Sequence, residues 1–128
     1  MLTIYLAGSA QQIKFRTYIY KFYGHNKEFE ILDPLKLVDQ NSPDIVIQDK
    51  NLINESDIII AYIQKWTCGT IMEIMYSFMK GKKIYVITTN EKIRNDVWLK
   101  EHTHEFFRKI YECFEYIHRT HINKERDL

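Results

Sequence analysis

Residues 58–63 read Ile-Ile-Ile-Ala-Tyr-Ile (IIIAYI) and carry no charge at all. A strand with that pattern is buried on both faces, as strands of parallel sheets are. Working outward, two more short apolar runs flank it: residues 2–7 (LTIYLA), which stop at Gly8-Ser9, and residues 83–88 (KIYVIT). Residues 28–32 (EFEIL) make a further strand, closed by Asp33-Pro34 because the residue before a proline is steered out of helical space. Between these runs the apolar spacing turns helical. Ile13, Tyr18, Ile19 and Phe22 mark a helix over 10–23 ending at Gly24, and Ile45, Ile47, Leu52 and Ile53 mark one over 44–55. Residues 67–70 read as a turn, followed by a helix over 71–79 that Gly81 closes. Residues 90–100 are weakly patterned, with room for a fifth strand at 97–99, and a last helix covers 103–118.

Strands alternating with helices of about a dozen residues predict an α/β domain over 1–128. The expected architecture is doubly wound, flavodoxin- or Rossmann-like, with a mostly parallel sheet of four to five strands flanked by helices. In such sheets ligands sit beyond the carboxyl ends of the strands, where the strand order reverses. The loops to inspect are therefore Gly8-Ser9, Asp33-Pro34, residues 64–70 and residues 88–95.

Composition excludes several classes. Eighteen basic against 17 acidic residues leave a net charge of +1, so neither a nucleic-acid polymer nor a membrane surface has an electrostatic claim on the chain. No stretch approaches a membrane span, and the first residues lack a basic leader. Cys68 and Cys113 belong to no paired motif, which predicts buried or partly buried thiols in a reducing, cytoplasmic setting. Glycine-rich dinucleotide and phosphate loops are missing, as is a serine nucleophile elbow. His102, His104, His118 and His121 lack a completing carboxylate or thiol at ligand spacing, so they read as solvated side chains and no metal is expected.

What remains is carboxylates at strand ends. Glu73 follows the most buried strand, in the expected first turn of the next helix, where the helix dipole favours an anion and suits a carboxylate nucleophile. Thr70 and Glu73 also spell a capping box, which fixes a helix start without chemistry. Asp49 is open to the same two readings, a solvated helical residue or a functional one. Asp57 reads as a cap or turn. Tyr5 lies within the first strand, and its hydroxyl, once buried, needs a partner such as a strand-end carboxylate.

In order along the chain, IYLAGS (residues 4–9), Asp33-Pro34, QDKNLINESDIIIA (residues 48–61) and GTIMEIMYSFMKGKKIYVI (residues 69–87) resemble the blocks of the nucleoside 2-deoxyribosyltransferase family, including its 2′-deoxynucleoside 5′-monophosphate N-hydrolase branch. The resemblance covers roughly the first two-thirds of the chain. It implies cleavage of the N-glycosidic bond of a deoxynucleoside or deoxynucleotide, with the sugar passed to a second base or to water. Glu73 is then the nucleophile at C1′, Tyr5 orients it, and Asp49 protonates the leaving base, with retention as in retaining glycosidases. Gly8, Ser9, Thr67 and Gly69 are the implied substrate contacts. Asn95 is the candidate lent to a neighbouring subunit, in a homodimer or larger homo-oligomer with shared sites. The chemistry calls for no metal or organic cofactor.

Three departures from the family pattern stand out. Thr67 replaces an aspartate found where free nucleosides are used. A carboxylate about 4 Å from a phosphate costs roughly 4 kcal/mol per charge pair at an effective dielectric of 20, so Thr67 tilts the substrate toward nucleotides. Ala10-Gln11-Gln12 lacks an arginine beside the expected phosphate, leaving Lys14 or Lys65 as substitutes. Met75 stands where the family has glycine. Two other readings remain open at this level: a non-catalytic nucleotide-binding or sensing module, and a flavodoxin-like interaction domain in which Glu73 only caps a helix. Tyr76, Phe78, Phe106, Phe107 and Tyr111 fit a dimer interface or a core equally well.

Overall fold

The computed structural model describes residues 1–9, 12–34 and 42–123. Five strands, β1 (Leu2–Gly8), β2 (Phe29–Leu32), β3 (Ile58–Tyr62), β4 (Lys83–Ile87) and β5 (Glu105–Phe107), form one sheet in the order β2-β1-β3-β4-β5. Every pairing is parallel. The helices are α1 (Ile13–Tyr23), α2 (Asp44–Glu55), α3 (Cys68–Met79), α4 (Glu91–Arg94), α5 (Val97–Glu101) and α6 (Ile110–Ile117), the last running into a π-helical turn, His118–Ile122. None of the described helices is long and apolar enough to cross a membrane.

Strand alternation divides the core in two. Ile4, Leu6, Ile58, Ile60, Tyr85 and Ile87 point to one face and pack with Phe15 and Ile19 of α1 and Cys113, Phe114 and Ile117 of α6. Tyr5, Ala7, Ile59, Ala61, Ile84 and Val86 point to the other, against Ile53 of α2, Ile74 of α3, Ile93 of α4 and Leu99 of α5. Each fully buried isoleucine contributes about 1.5–3 kcal/mol of transfer free energy, which makes β3 the centre of the fold. The topology also settles where Tyr5 looks: toward α2 and α3.

The order reverses between β1 and β3, so the switch point lies at Gly8-Ser9 and the β3–α3 connection. Gly8 has φ +156°, which L side chains rarely adopt, and a Cβ there would sit 3.2 Å from the Tyr62 carbonyl oxygen, so both the backbone and the close approach to β3 favour glycine.

Three expectations change. The fifth strand is at Glu105–Phe107 rather than 97–99, and the last helix is correspondingly shorter than 103–118. Without β5 the long apolar edge of β4 would stay open. Phe106 and Phe107 pair with Val86 and Ile87, while the His104 amide donates to the Ile84 carbonyl and Nδ1 of His104 accepts from the Ile84 amide. Residues 97–101 are helical because Asp96 caps them, accepting from the Leu99 amide at 2.9 Å, just as Asn90 caps α4. Third, α3 begins at Cys68 rather than Ile71.

Candidate active site

Tyr5, Asp49 and Glu73 converge from β1, α2 and α3. Tyr5 is wholly buried, and its phenol faces both carboxylates. Burial, then the Glu73 charge and contact, then Asp49, push the phenol far above its ordinary value, so it stays protonated and acts as a donor. Glu73 as a residue is partly buried, and its Oε2 is shielded from solvent. Burial lifts its carboxyl to about 7; the Asp49 charge lifts it too, while Tyr5 and Arg16 pull it down. Burial also raises Asp49, against the lowering influence of Gln48, Tyr5 and Arg16. The Tyr5 phenol donates toward both carboxyl groups, and this contact lowers each of them against the burial that raises it.

The helix start at Cys68 removes the capping reading of Glu73. Thr67 occupies the N-cap, and its Oγ1 meets Thr70 Oγ1 at 2.9 Å instead of a backbone amide. Glu73 is therefore in the second turn, where the helix dipole contributes less than the expected first-turn position would. Its place is fixed by packing: the Ser77 hydroxyl donates to its carbonyl at 2.6 Å, and Tyr76 donates to Asn54 Oδ1 across to α2 at 3.0 Å. Gln48 spans the Pro34 carbonyl and the Asp49 carboxylate, at 3.2 and 3.4 Å, joining the end of β2 to the site.

Gly8 ends β1 at the switch point with Ser9 directly after it, and Thr67 and Gly69 open α3 on the same edge of the sheet. A Cβ on Gly69 would meet nothing within 4 Å, so no protein atom demands glycine there. Asn95 is exposed at the end of α4, where its amide donates to the Glu91 carbonyl at 2.9 Å. Lys14 and Lys65 are both exposed, and Lys14 borders a cleft of about 440 Å³ with Gln12, Phe15, Tyr62 and Gln64, beside the Gly8 loop. Ala10 and Gln11 lie outside the described residues. Met75 is half-buried in a cleft with Trp66 and Trp98, so its bulk is absorbed at the outer side of α3.

The histidines are not merely solvated. His118 Nε2 lies 3.1 Å from Glu28, His121 meets the Tyr85 hydroxyl at 2.7 Å, and His102 Nδ1 meets the Trp98 carbonyl at 2.7 Å. His118 and His121 tie elements together, whereas His102 closes the end of α5. Among the described residues no group of three or more His, Cys, Asp or Glu converges as a metal site. Cys113 is buried as expected, whereas Cys68 is exposed because its position opens α3. Phe106 and Phe107 pack into the two halves of the core, while the large exposed apolar side chains include Trp66, Met72, Phe78, Met79, Val97 and Trp98.

One polar group escapes the motif reading. Arg16 of α1 is buried and its Nη1 lies 2.7 Å from Asp33 Oδ1 at the end of β2. The available signal was a charged residue within an otherwise inward-facing pair, Phe15 and Ile19.

No protein-family model matches the chain, and no curated protein matches it significantly. Solved structures do. The 2-desoxiribosyltransferase of Leishmania mexicana superposes with a TM-score of 0.77 at 21% identity, covering 95% of this chain and 100% of that one. The 2-deoxyribosyltransferase of Bacillus psychrosaccharolyticus gives 0.70 at 19% identity over 89% and 91%. The CMP N-glycosidase of Clostridium botulinum gives 0.63 at 23% identity over 90% and 96%. The fold is that of these enzymes.

Proposed function

We propose that this chain is an N-glycosidase of the nucleoside 2-deoxyribosyltransferase family, acting on 2′-deoxynucleosides or their 5′-monophosphates. The observation that carries the reading is the meeting of Tyr5, Asp49 and Glu73 on one face of the sheet, beside the β1/β3 switch point. The fold shared with two deoxyribosyltransferases and a CMP N-glycosidase supports it. Glu73 attacks C1′ as the bond to the base breaks, and the bonding pair leaves with the base, which takes a proton from Asp49. Tyr5 donates toward Glu73 and holds it under C1′. The deoxyribosyl ester on Glu73 then yields to water or to a second base on the same face, giving net retention. Gly8, Ser9, Thr67 and Gly69 line the sugar and its 5′ substituent. The test is base release from deoxynucleosides and deoxynucleotides, followed by chromatography, with and without a free acceptor base to separate transfer from hydrolysis.

The two carboxyl groups act as a coupled pair. The productive state holds one proton, on the base side, and leaves Glu73 ionised. With Glu73 near 7, the last proton of the pair leaves as pH rises through about 7, so kcat/KM falls about tenfold per unit above it. On the acid side both groups protonate and the nucleophile is lost. A profile from pH 4.5 to 9 should therefore peak below 7, and a rate still climbing at pH 8 contradicts the assignment of Asp49.

We also read the site as shared between two copies. Helix α3, which carries Glu73, turns Met72 and Met79 outward, and Trp66 and Trp98 share an apolar cleft beside it. Asn95 directly precedes the α5 cap, next to exposed Val97 and Trp98. An apolar group of this kind on the helix that bears the nucleophile suits a second copy of the chain. Sedimentation equilibrium should give a dimer, and Trp98→Glu should shift it to monomer and lower base release together. The unpaired thiols, Cys68 and Cys113, fit a reducing cytoplasm.

A further inference from the structure

We propose that Arg16 is the positioning residue of this site: from α1 on the opposite face of the sheet, its buried guanidinium locks the carboxyl ends of β1 and β2 and lends a positive charge to the Tyr5–Asp49–Glu73 cluster. The inference rests on the function proposed above. Arg16 is only 5% exposed, and buried arginines survive by being paired. Nη1 donates to Asp33 Oδ1 at 2.7 Å and, more weakly, to the Leu6 carbonyl at 3.4 Å; Nη2 donates to the Gly8 carbonyl at 2.9 Å. Nε is buried and closes no hydrogen bond among the described residues.

Three acceptors on two neighbouring strand ends define a clamp. Gly8, the residue with φ +156°, is held by Arg16 through its carbonyl and abuts Tyr62, so the direction of the chain into Ser9 is fixed from both sides. Asp33 leads to Pro34, whose carbonyl takes the Gln48 amide beside Asp49. One guanidinium thus connects the Gly8–Ser9 loop and the Asp49 arm. An apolar side chain would fill such a position at less desolvation cost, so the ion pair is not explained by stability alone.

Around the cluster, among the described residues, the charged and titratable groups are Tyr5 from β1, Asp49 from α2, Glu73 from α3 and Arg16 from α1, the last sharing its charge with Asp33 at the end of β2. Arg16 is the cation among them, and it favours the ionised form of both carboxyl groups. Arg16→Met keeps much of the bulk and removes charge and donors; Arg16→Lys keeps the charge and loses the planar fork.

The test compares wild type, Arg16→Lys and Arg16→Met for kcat, KM, pH profile and the carboxyl titration of Glu73 followed by carbon-13 NMR in the free protein. For Arg16→Met, kcat should fall about 10–100-fold, the scale of a misplaced reacting group, with the Glu73 titration and the alkaline limb both moved to higher pH. Arg16→Lys should restore the titration while recovering kcat only in part. If Arg16→Met does not fold, Arg16→Lys and Arg16→Met/Asp33→Leu carry the same readouts. An unmoved titration and wild-type kcat in a folded variant overturn the proposal. A moved titration in a chain that never releases base overturns the proposed function instead, and leaves the field of Arg16 standing.

Discussion

Glu73→Ala should abolish base release, lowering kcat roughly 10⁴–10⁶-fold, the range in which nucleophile deletions act in covalent enzymes. The reasoning starts from cost. A carboxyl group lifted to about 7 by burial is ionised only against the resistance of its surroundings. Because the folded value lies above the unfolded one, its contribution to stability is fully present below the unfolded value near 4.5 and is lost as pH rises through about 7. Glu73→Gln, which keeps the shape and drops the charge, should therefore melt no lower than wild type at pH 8 while remaining inactive. A residue that stabilised α3 would do the reverse. The second measurement is chemical: a 2-fluoro-arabinosyl nucleoside should leave a sugar adduct on Glu73, detected by mass spectrometry of the peptide. Activity in Glu73→Ala, or an adduct elsewhere, removes the nucleophile assignment.

Much of this was legible in the sequence, for reasons that differ by element. Residues 58–63 announce a strand buried on both faces because nothing polar interrupts them, and β1 and β4 follow the same logic. Position alone left Glu73 and Asp49 open to structural readings and gave the Tyr5 hydroxyl only a need for a partner; the resemblance of the ordered blocks is what joined the three into one site. The errors arise where local pattern competes with long-range pairing. Glu105-Phe106-Phe107 has apolar residues at helical spacing from Ile110 and Phe114, yet the β4 edge recruits it as a strand. That contact is 20 residues away and invisible to a local window. Asn90 and Asp96, by contrast, were readable caps hidden in weakly patterned sequence. The start of α3 misled because Thr70 and Glu73 fit a capping box, whereas Thr67 three residues earlier takes the cap position. Arg16 stayed hidden because a charge in a helix ordinarily means a solvated face, and only the sheet's end supplies its three acceptors.

Asp33→Ala should be the most damaging single change to stability outside the apolar core, costing about 3–5 kcal/mol because it strands a buried guanidinium beside two carbonyls. Native domains have only about 5–15 kcal/mol in hand, so the melting temperature should drop on the order of 10–20 °C. The magnitude follows from the charge left behind, since the lost Coulomb attraction is largely offset in the pair by the cost of burying both ions. The same argument predicts the remedy. Arg16→Met/Asp33→Leu removes both charges from the interior, and a buried ion pair exchanged for well-packed apolar side chains is often neutral or better. The double variant should recover most of the stability lost in Asp33→Ala, giving a coupling that thermal or urea denaturation measures directly. It should not recover turnover, because the clamp on Gly8 and the cation near Glu73 are both gone. Stability regained without activity locates the purpose of the pair in the site; stability and activity regained together reduce Arg16 and Asp33 to scaffolding.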